Sequence, residues 1–322
     1  MAFKLGAFKP TKGQLAFVLI TLAALYIILP QIGIFKNSLI HLAGVNFCFL
    51  ALALVLQVAT NVFAAINYCL LAKHKLKYFR TLLIMLAGNF VNRLLPAGIG
   101  GIGINYAYLK ANKHTSAQSA SVVAVNNLIG GVGNLLLVAA IFLIFRGSLV
   151  HLNTDGIHAP ANWKYIVLAV IIMVLIIALS RFRHKISRGA VVFIEQVLEY
   201  RKQPLKLVLT LISSILLTLS NVLCLYYSAL AINVHLSLAI MVVVLTVGVA
   251  FGTATPTPGG LGGIDAALVV ALVAYSVPVA MALTVTLLFR LISCWIPVIV
   301  GITILYVAER GNYFNSRSKI LA

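Results

Sequence analysis

Charged residues are scarce in this sequence, and acidic residues are the scarcest. Five Asp and Glu stand against 24 Lys and Arg among 322 residues, and only 9% of the chain is charged. Hydrophobic residues make up 62%, more than a soluble domain of this size can bury. Several apolar runs exceed the roughly 20 residues that span a bilayer, and the short alternating segments of a transmembrane barrel are missing. The composition therefore predicts an all-α polytopic membrane protein.

Sequence motifs for enzymes and cofactors are also missing. There is no P-loop, nucleophile elbow, HExxH or dinucleotide fingerprint, so nothing indicates ATP hydrolysis and no cofactor is predicted. The seven histidines stand singly, without zinc-ligand spacing. The four cysteines lie inside apolar runs without a CxxC pair, which predicts small buried side chains and no metal or disulfide.

The basic residues that are present cluster in particular loops. A net charge of +19 on a soluble chain would suggest nucleic acid, but loop clustering is typical of the positive-inside rule, and these loops also attract anionic lipid. We therefore expect no nucleic-acid partner. The rule predicts a multi-pass protein of the inner membrane with both termini cytoplasmic. The loops 73–80 and 110–113, the region 181–206 and the tail 309–322 lie inside on this count, whereas 31–38, 147–162 and 232–237 lie outside.

Two apolar stretches contain Pro/Gly clusters that helices do not tolerate. "RLLPAGIGGIG" interrupts 80–110 and "TPTPGGLGGID" interrupts 238–275, which leaves halves too short to span comfortably. We interpret each stretch as two half-helices that meet within the membrane. Continuous spans are predicted near 14–30, 40–72, 117–146, 163–180, 205–231 and 279–308. Residues 181–204 are charged with apolar residues at helical spacing, which predicts an amphipathic cytoplasmic helix ended by Pro204.

The two interruptions repeat each other. Pro96, Gly98, Gly100 and Gly101 match Pro258, Gly260, Gly262 and Gly263 at one constant offset, and "NV" at 61–62 matches 221–222 at nearly the same offset. The single membrane domain 1–322 thus divides into repeats 14–146 and 163–308, joined by the external loop 147–162. By the charge count the first hairpin enters from the cytoplasm and the second from outside. This predicts two inverted repeats, each with three transmembrane helices and one re-entrant hairpin.

Each interruption starts a new helix, whose first N–H groups lack intrahelical partners and carry partial positive charge. Glycines let a ligand approach the backbone, so two such ends near the membrane centre suit an anionic group such as a lipid phosphate. The alternative is close helix packing through small residues. Pro96, Gly98, Gly100, Gly101, Pro258, Gly259, Gly260, Gly262 and Gly263 are the candidate binding positions.

Charged residues inside the membrane are costly and therefore informative. Arg93 precedes the first Pro/Gly cluster, Asp265 follows the second, and Arg290 lies in the last long span. Asp265 and Arg290 can pair, either as a structural ion pair or to orient Arg290 while both arginines hold phosphate. Asn126 and Asn127 are candidates to face the same cavity. Asn61 and Asn221 are interpreted as interhelical hydrogen-bonding residues.

The segment "PTPGGLGGIDAALVVALVAYSVPVAMALTVTLLFRLISCWIPVIVG" resembles the C-terminal signature of the lysylphosphatidylglycerol synthase transmembrane-region family, the flippase-like integral membrane proteins. Asp265 and Arg290 stand at that signature's acid and arginine, and "NRLLPAGIGGIGINYAYLKANK" resembles the first motif. The resemblance covers about 14–308. Family members commonly carry an acid near the first tip and an acid–Arg pair in the next span. Gly101 and Asn126–Asn127 stand at those positions here, so headgroup specificity does not carry over.

The resemblance implies lipid transport. We expect a flippase-like transporter that moves a phospholipid or polyprenyl-phosphate lipid between leaflets, driven by a gradient or by equilibration, and a homo-oligomer is compatible with this. The aminoacyl-transferase domain of bifunctional members is missing before the chain ends at Ala322, so we expect no enzyme activity. The alternatives are an accessory subunit or a transferase on polyprenyl-linked sugars, for which only Glu195 and Glu199 are available; contacts of these two with neighbouring basic residues are the simpler interpretation.

Overall fold

A computed structural model describes residues 44–94, 99–144, 195, 197–254, 260 and 262–310. All regular elements in these ranges are helical. A 3-10 turn covers Tyr200–Lys202, and a π-helical segment, Leu291–Trp295, joins the last two α-helices. The α-helices are α1 (Phe47–Leu71), α2 (Tyr78–Leu94), α3 (Ile99–Ala111), α4 (Ser116–Ile144), α5 (Pro204–Leu230), α6 (Leu238–Ala254), α7 (Gly263–Ala274), α8 (Val279–Arg290) and α9 (Ile296–Arg310).

Four of these segments are long and apolar enough to cross a membrane. They are Phe47–Leu71, Ser116–Ile141, Pro204–Leu230 and Val279–Ile304. They confirm the predicted spans 40–72, 117–146, 205–231 and 279–308, with two corrections. The first helix begins only at Phe47, because the Asn46 side chain accepts the Cys48 N–H at 3.0 Å and caps it. The last span is not one regular helix, because the π-helical segment interrupts it. The spans 14–30 and 163–180, the loop 147–162 and the tail after 310 lie outside the described residues.

The two interrupted stretches form helical hairpins. Helices α2 and α3 pack against each other, as do α6 and α7, and the described chain is helical on both sides of each predicted interruption. At 17 and 13 residues, and at 17 and 12, the paired helices are shorter than a full membrane span. Helix lengths therefore run long, short, short, long in α1–α4, and the same order recurs in α5, α6, α7 and the candidate span Val279–Ile304.

The most extensive helix contact joins the two halves through α1 and α5. Asn46 N–H donates to the Ala231 carbonyl at 2.9 Å at one end, and Asn67 Nδ2 donates to Ser214 Oγ at 3.0 Å further along. Residue numbers rise on α1 as they fall on α5, so the two helices are antiparallel.

The buried apolar side chains form two clusters, each built mainly by one half. One consists mainly of residues of α5 to α8, such as Leu225, Met241 and Leu268, and also includes Ala53 of α1 and Ile141 of α4. The other consists mainly of residues of α1 to α4, such as Leu71 and Leu109, and also includes Tyr200 from the segment before α5. Large apolar side chains such as Leu135 (69% exposed) and Phe47 (77% exposed) face outward, as lipid-facing residues do.

The cysteines are free, and the expectation that all four are buried is wrong for one of them. Cys224 and Cys294 are buried and Cys69 is partly buried, but Cys48 is exposed. Cys48 lies in the first turn of α1, where the cap leaves its side chain on the surface.

Candidate functional site

An ion pair between Asp265 and Arg290 lies at the start of α7. Arg290 Nε donates to Asp265 Oδ1, and Arg290 Nη2 donates to the Gly260 carbonyl at 3.1 Å. The Arg290 side chain is only 5% exposed, whereas that of Asp265 is 20% exposed. The arginine is therefore enclosed, and the carboxylate is the more accessible of the two partners. The contact between Arg290 Nε and Asp265 Oδ1 confirms that the two charges pair.

The same carboxylate also caps the helix that carries it. Asp265 Oδ2 accepts the Gly262 N–H at 2.8 Å, and this contact places a negative charge at the positive end of α7. Because this N–H already has an acceptor, a phosphate that used it would have to displace Asp265. Gly263 is the first residue of α7 and Gly262 its N-cap.

Two glycines ahead of Asp265 have backbone conformations that other residues rarely adopt. Gly260 has φ +66° and Gly262 has φ +82°. The resulting turn aims the Gly260 carbonyl at Arg290 and the Gly262 N–H at Asp265. A Cβ on Gly260 would also lie 2.6 Å from Ile264 Cδ1. The glycines at these positions are thus required by the turn that forms the site.

Helix α6 approaches α7 closely because it carries small residues. Gly248 and Gly252 lie four residues apart on α6; a Cβ on Gly248 would be 2.7 Å from Leu268, and one on Gly252 would overlap Ile264. Small residues at this spacing let membrane helices pack closely. The packing holds Ile264, and hence the neighbouring Asp265, in place.

The π-helical segment places Arg93 beside the ion pair. Pro297 has no N–H, so the Ser293 carbonyl one turn earlier loses its usual helical donor. Arg93 Nη2 donates to this carbonyl at 3.2 Å. Arg93 also interacts electrostatically with Arg290 and Asp265. The region thus holds two arginines and one carboxylate, with an excess of positive charge.

A glycine on α9 brings Arg93 to this position. A Cβ on Gly301 would lie 2.8 Å from the Leu86 carbonyl and 2.9 Å from Phe90 Cβ, so α9 and α2 are in backbone contact there. Arg93 follows two turns after Leu86 on α2. The first half of the chain thereby contributes a residue to a site built mainly by the second half.

The first hairpin is capped in a different way. Gly101 N–H donates to Asn92 Oδ1 at 3.1 Å, so an amide from α2 caps α3. A Cβ on Gly100 would overlap the Val91 carbonyl, which indicates that the two backbones touch. This glycine serves packing, the alternative considered from the sequence.

Not every predicted site residue joins the ion pair. Asn127 is exposed, and Asn126 Oδ1 is buried without a hydrogen-bond partner among the described residues. Neither forms a described hydrogen bond with Asp265 or Arg290. Asn61 does bond between helices, as predicted, because its Oδ1 accepts from Asn89 Nδ2 at 2.6 Å. Pro96, Gly98, Pro258 and Gly259 lie outside the described residues.

A second polar region joins the loop after α1 to the loop between α3 and α4. His114 Nε2 accepts the Lys73 N–H at 3.1 Å and the His74 N–H at 3.2 Å, while its Nδ1 lies 3.1 Å from the Leu109 carbonyl. These partners require a neutral ring with the proton on Nδ1. Burial lowers the His114 pKa. His74 packs edge-on against His114 at 4.8 Å, so these histidines do not stand alone as the sequence suggested.

The same loop contacts the segment before α5. Lys73 Nζ donates to Glu199, whose carboxyl pKa is lowered by that contact. Glu199 thus pairs with the distant Lys73, and the neighbouring Lys202, of the kind expected from the sequence, adds a weaker electrostatic contribution. Tyr200 hydroxyl donates to the Leu71 carbonyl at 2.7 Å. A cavity of about 170 Å³ lies here, lined by Leu71, Ala72, Lys73, Glu199, Tyr200, Gln203 and Lys206.

Four features of these regions escape the sequence analysis. The Gly248–Gly252 spacing is visible in the sequence as a small-residue motif and could have been identified. Pro297, inside an apolar run, is a sequence signal for the π-helical interruption between α8 and α9. The Asn92 cap and the His114 contacts have no local signal, because their partners come from other segments.

The described structure and its buried charges define a multi-pass helical membrane protein with a polar site next to a broken helix. The chain belongs to the family described as the lysylphosphatidylglycerol synthase TM region, whose model matches residues 13–301. It is also similar to the UPF0104 membrane protein MJ1078 of Methanocaldococcus jannaschii. The identity is 26% over 234 residues, which cover 69% of this chain and 95% of that protein.

Proposed function

We propose that this protein moves a phosphate-bearing lipid or lipid-linked intermediate between the leaflets of the inner membrane. Arg290 and Arg93 would bind the phosphate, and Asp265 would hold Arg290 in position. The observation that carries the proposal is the excess positive charge beside a broken helix, in a chain with four candidate membrane spans. Arg290 uses two of its five N–H donors on Asp265 and Gly260, which leaves donors for a phosphate.

The helix arrangement supports alternating access as the mechanism. Inverted repeats with discontinuous helices are a common transporter architecture. The matching helices of the two proposed repeats, α1 and α5, are antiparallel, as inversion requires, and each is followed by a hairpin of two short helices. In this proposal both hairpins are re-entrant, both termini are cytoplasmic, and the cavity between the hairpins opens to each leaflet in turn.

A non-enzymatic role also forms part of the proposal. The alternative of a transferase acting on polyprenyl-linked sugars depended on Glu195 and Glu199 as an acid pair, whereas the alternative of an accessory subunit did not. Glu199 is neutralised by Lys73 at the edge of the second polar region, so this contact favours a structural role for it.

Removing the guanidinium of Arg290 tests the proposal. We expect Arg290→Ala to lower lipid scrambling in proteoliposomes to the protein-free level, because the phosphate loses its enclosed partner. Arg290→Lys should restore little, because an ammonium cannot hold Asp265 and phosphate together in the same planar geometry. The measurement is the dithionite-accessible fraction of a fluorescent phospholipid over time.

Arg201→Ala is the matched control, since it removes an exposed arginine outside the candidate membrane spans. Size-exclusion elution and circular dichroism would establish that each variant is folded. Full scrambling by a folded Arg290→Ala variant would contradict the proposed function.

A further inference from the structure

Two buried polar atoms near the arginines have no hydrogen-bond partner among the described residues. They are Gln57 Oε1 and Thr286 Oγ1. Gln57 is 9% exposed and Thr286 is 3% exposed. Proteins pair nearly all of their buried polar groups, so an unpaired one beside a candidate site points to a ligand that completes it.

The packing of α1 against α2 places Gln57 at the level of Arg93. Cys69 Sγ contacts Thr81 Oγ1 at 3.6 Å, and Asn61 Oδ1 accepts from Asn89 at 2.6 Å. From the first contact to the second, the residue number falls on α1 and rises on α2, so the two helices are antiparallel. One further turn along each helix brings Gln57 level with Arg93. Helix α1 also contacts the π-helical segment, whose Ser293 carbonyl binds Arg93.

Thr286 has the corresponding position next to the other arginine. It precedes Arg290 by four residues on α8, which puts both side chains on one helix face. Arg290 therefore has an unpaired polar atom about one helical turn away on its own helix, and Arg93 has one at the same level on the neighbouring helix.

The chemistry of these atoms differs from that of the arginines. Arginine only donates hydrogen bonds, the amide oxygen of Gln57 only accepts, and the hydroxyl of Thr286 does both. A phosphate satisfies the arginines but cannot donate to Gln57. A ligand that satisfies both carries an O–H or N–H donor close to its phosphate.

We propose that Gln57, assisted by Thr286, selects lipids whose headgroup carries a hydrogen-bond donor next to the phosphate. This inference rests on the proposed function, because it assigns the ligand's phosphate to the two arginines. Ethanolamine, glycerol and sugar headgroups carry such a donor, whereas choline and a simple methyl phosphodiester do not.

A binding competition at matched lipid charge tests this. The purified full chain is exchanged in detergent with equimolar phosphatidylethanolamine and phosphatidylcholine, and separately with phosphatidylglycerol and phosphatidylmethanol. Retained lipids are quantified by mass spectrometry. We expect the donor-bearing lipid to be enriched about five- to tenfold in both pairs, the factor that one hydrogen bond of ordinary strength supplies.

Gln57→Met removes the hydrogen-bond acceptor at nearly constant side-chain volume. It should bring the enrichment ratio of both lipid pairs close to one. Thr286→Val should lower them less. Asn67→Leu is the matched control, because it removes another buried amide with an unpaired oxygen from α1; its Nδ2 bonds to Ser214 of α5, away from the arginines. This variant should keep the wild-type ratios.

The inference is overturned if wild-type protein shows no enrichment, or if folded Gln57→Met keeps it. Should Gln57→Met fail to fold, the Thr286→Val variant decides: a smaller but measurable loss of enrichment supports the inference, and unchanged ratios overturn it. Binding is measured without transport, so the two proposals can fail separately. Enrichment without scrambling would overturn only transport, and scrambling that depends on Arg290 without enrichment would overturn only the role of Gln57.

Discussion

The two helical hairpins share a glycine pattern but differ in how the helix after each interruption is capped. In the first hairpin the neutral amide of Asn92, from the preceding helix, accepts the Gly101 N–H. In the second, Asp265 accepts the Gly262 N–H from within its own helix and also binds Arg290. A neutral cap needs no counter-charge, whereas a carboxylate in this environment does. The difference makes the second hairpin the charged one.

Arg93 links the two hairpins. It belongs to the first half, directly before the first interruption, yet it donates to the Ser293 carbonyl beside the charged pair. The first hairpin therefore has no carboxylate of its own among the described residues but supplies a cation to the second. The halves repeat in sequence and are complementary in charge.

Replacing the charged cap should give the largest effect on stability, and replacing the neutral cap should give a smaller one. Asp265→Asn leaves the enclosed Arg290 without its counter-charge and should lower the free energy of unfolding by about 2–4 kcal/mol, less than for a fully buried pair because Asp265 is partly exposed. Asn92→Ala removes only a cap and should cost about 1 kcal/mol. Thermal unfolding in detergent measures both.

The double variant Asp265→Asn, Arg290→Gln serves as the control for charge. It should recover part of the loss, because no uncompensated charge is left. Equal costs for Asp265→Asn and Asn92→Ala would show that the two caps are equivalent and would remove the contrast between the hairpins.

A methyl group added to each hairpin tests their packing. Gly252→Ala forces a Cβ into Ile264 and should destabilise the protein by about 1–3 kcal/mol. Gly103→Ala, in α3, meets no atom within 4 Å and should be neutral or stabilising by up to about 1 kcal/mol. The difference in melting temperature between the two variants is the measurement.

Replacing Ile264 by Ala in the Gly252→Ala background should return part of the lost stability by making room for the new methyl group. No recovery in this double variant would argue against the close contact of α6 and α7 as the cause.

The loops that border the two hairpins should differ in their response to pH, and this is the smallest expected effect. Neutral His114 accepts two backbone N–H groups, and its pKa is lowered from 6.5 by burial. The unfolded chain thus binds this proton more readily than the folded protein. The contribution of His114 to stability is complete above about pH 6.5 and falls as pH decreases from there toward the lowered folded-state pKa.

Melting temperatures between pH 8 and pH 5 measure this response. His114→Gln should flatten the slope, whereas His235→Gln, which replaces an exposed histidine in the loop before α6, should not. An unchanged slope in His114→Gln would assign the pH dependence to other groups.

Local signals in the sequence predict most of the helices. Apolar length predicts the four candidate spans, and the Pro/Gly clusters predict where α2 and α6 end. Asp265 and Arg290 stand out because charge is rare in this chain, which is why their pairing could be expected. The Asn92 cap, the Lys73–Glu199 pair and the position of Gln57 could not, because each depends on helix register between distant segments.

Hydrophobicity, charge and the backbone preferences of Pro and Gly act locally. The sequence by itself therefore determined a helical membrane protein, its two interrupted stretches and the few charged residues that are costly to place inside a membrane. The tertiary structure decided which of those residues meet. Gly301 allows α9 to touch α2, Pro297 leaves a carbonyl for Arg93, and two left-handed glycines turn the chain so that Asp265 reaches both a helix end and Arg290. These contacts depend on the close approach of backbones distant in sequence, which no local pattern specifies.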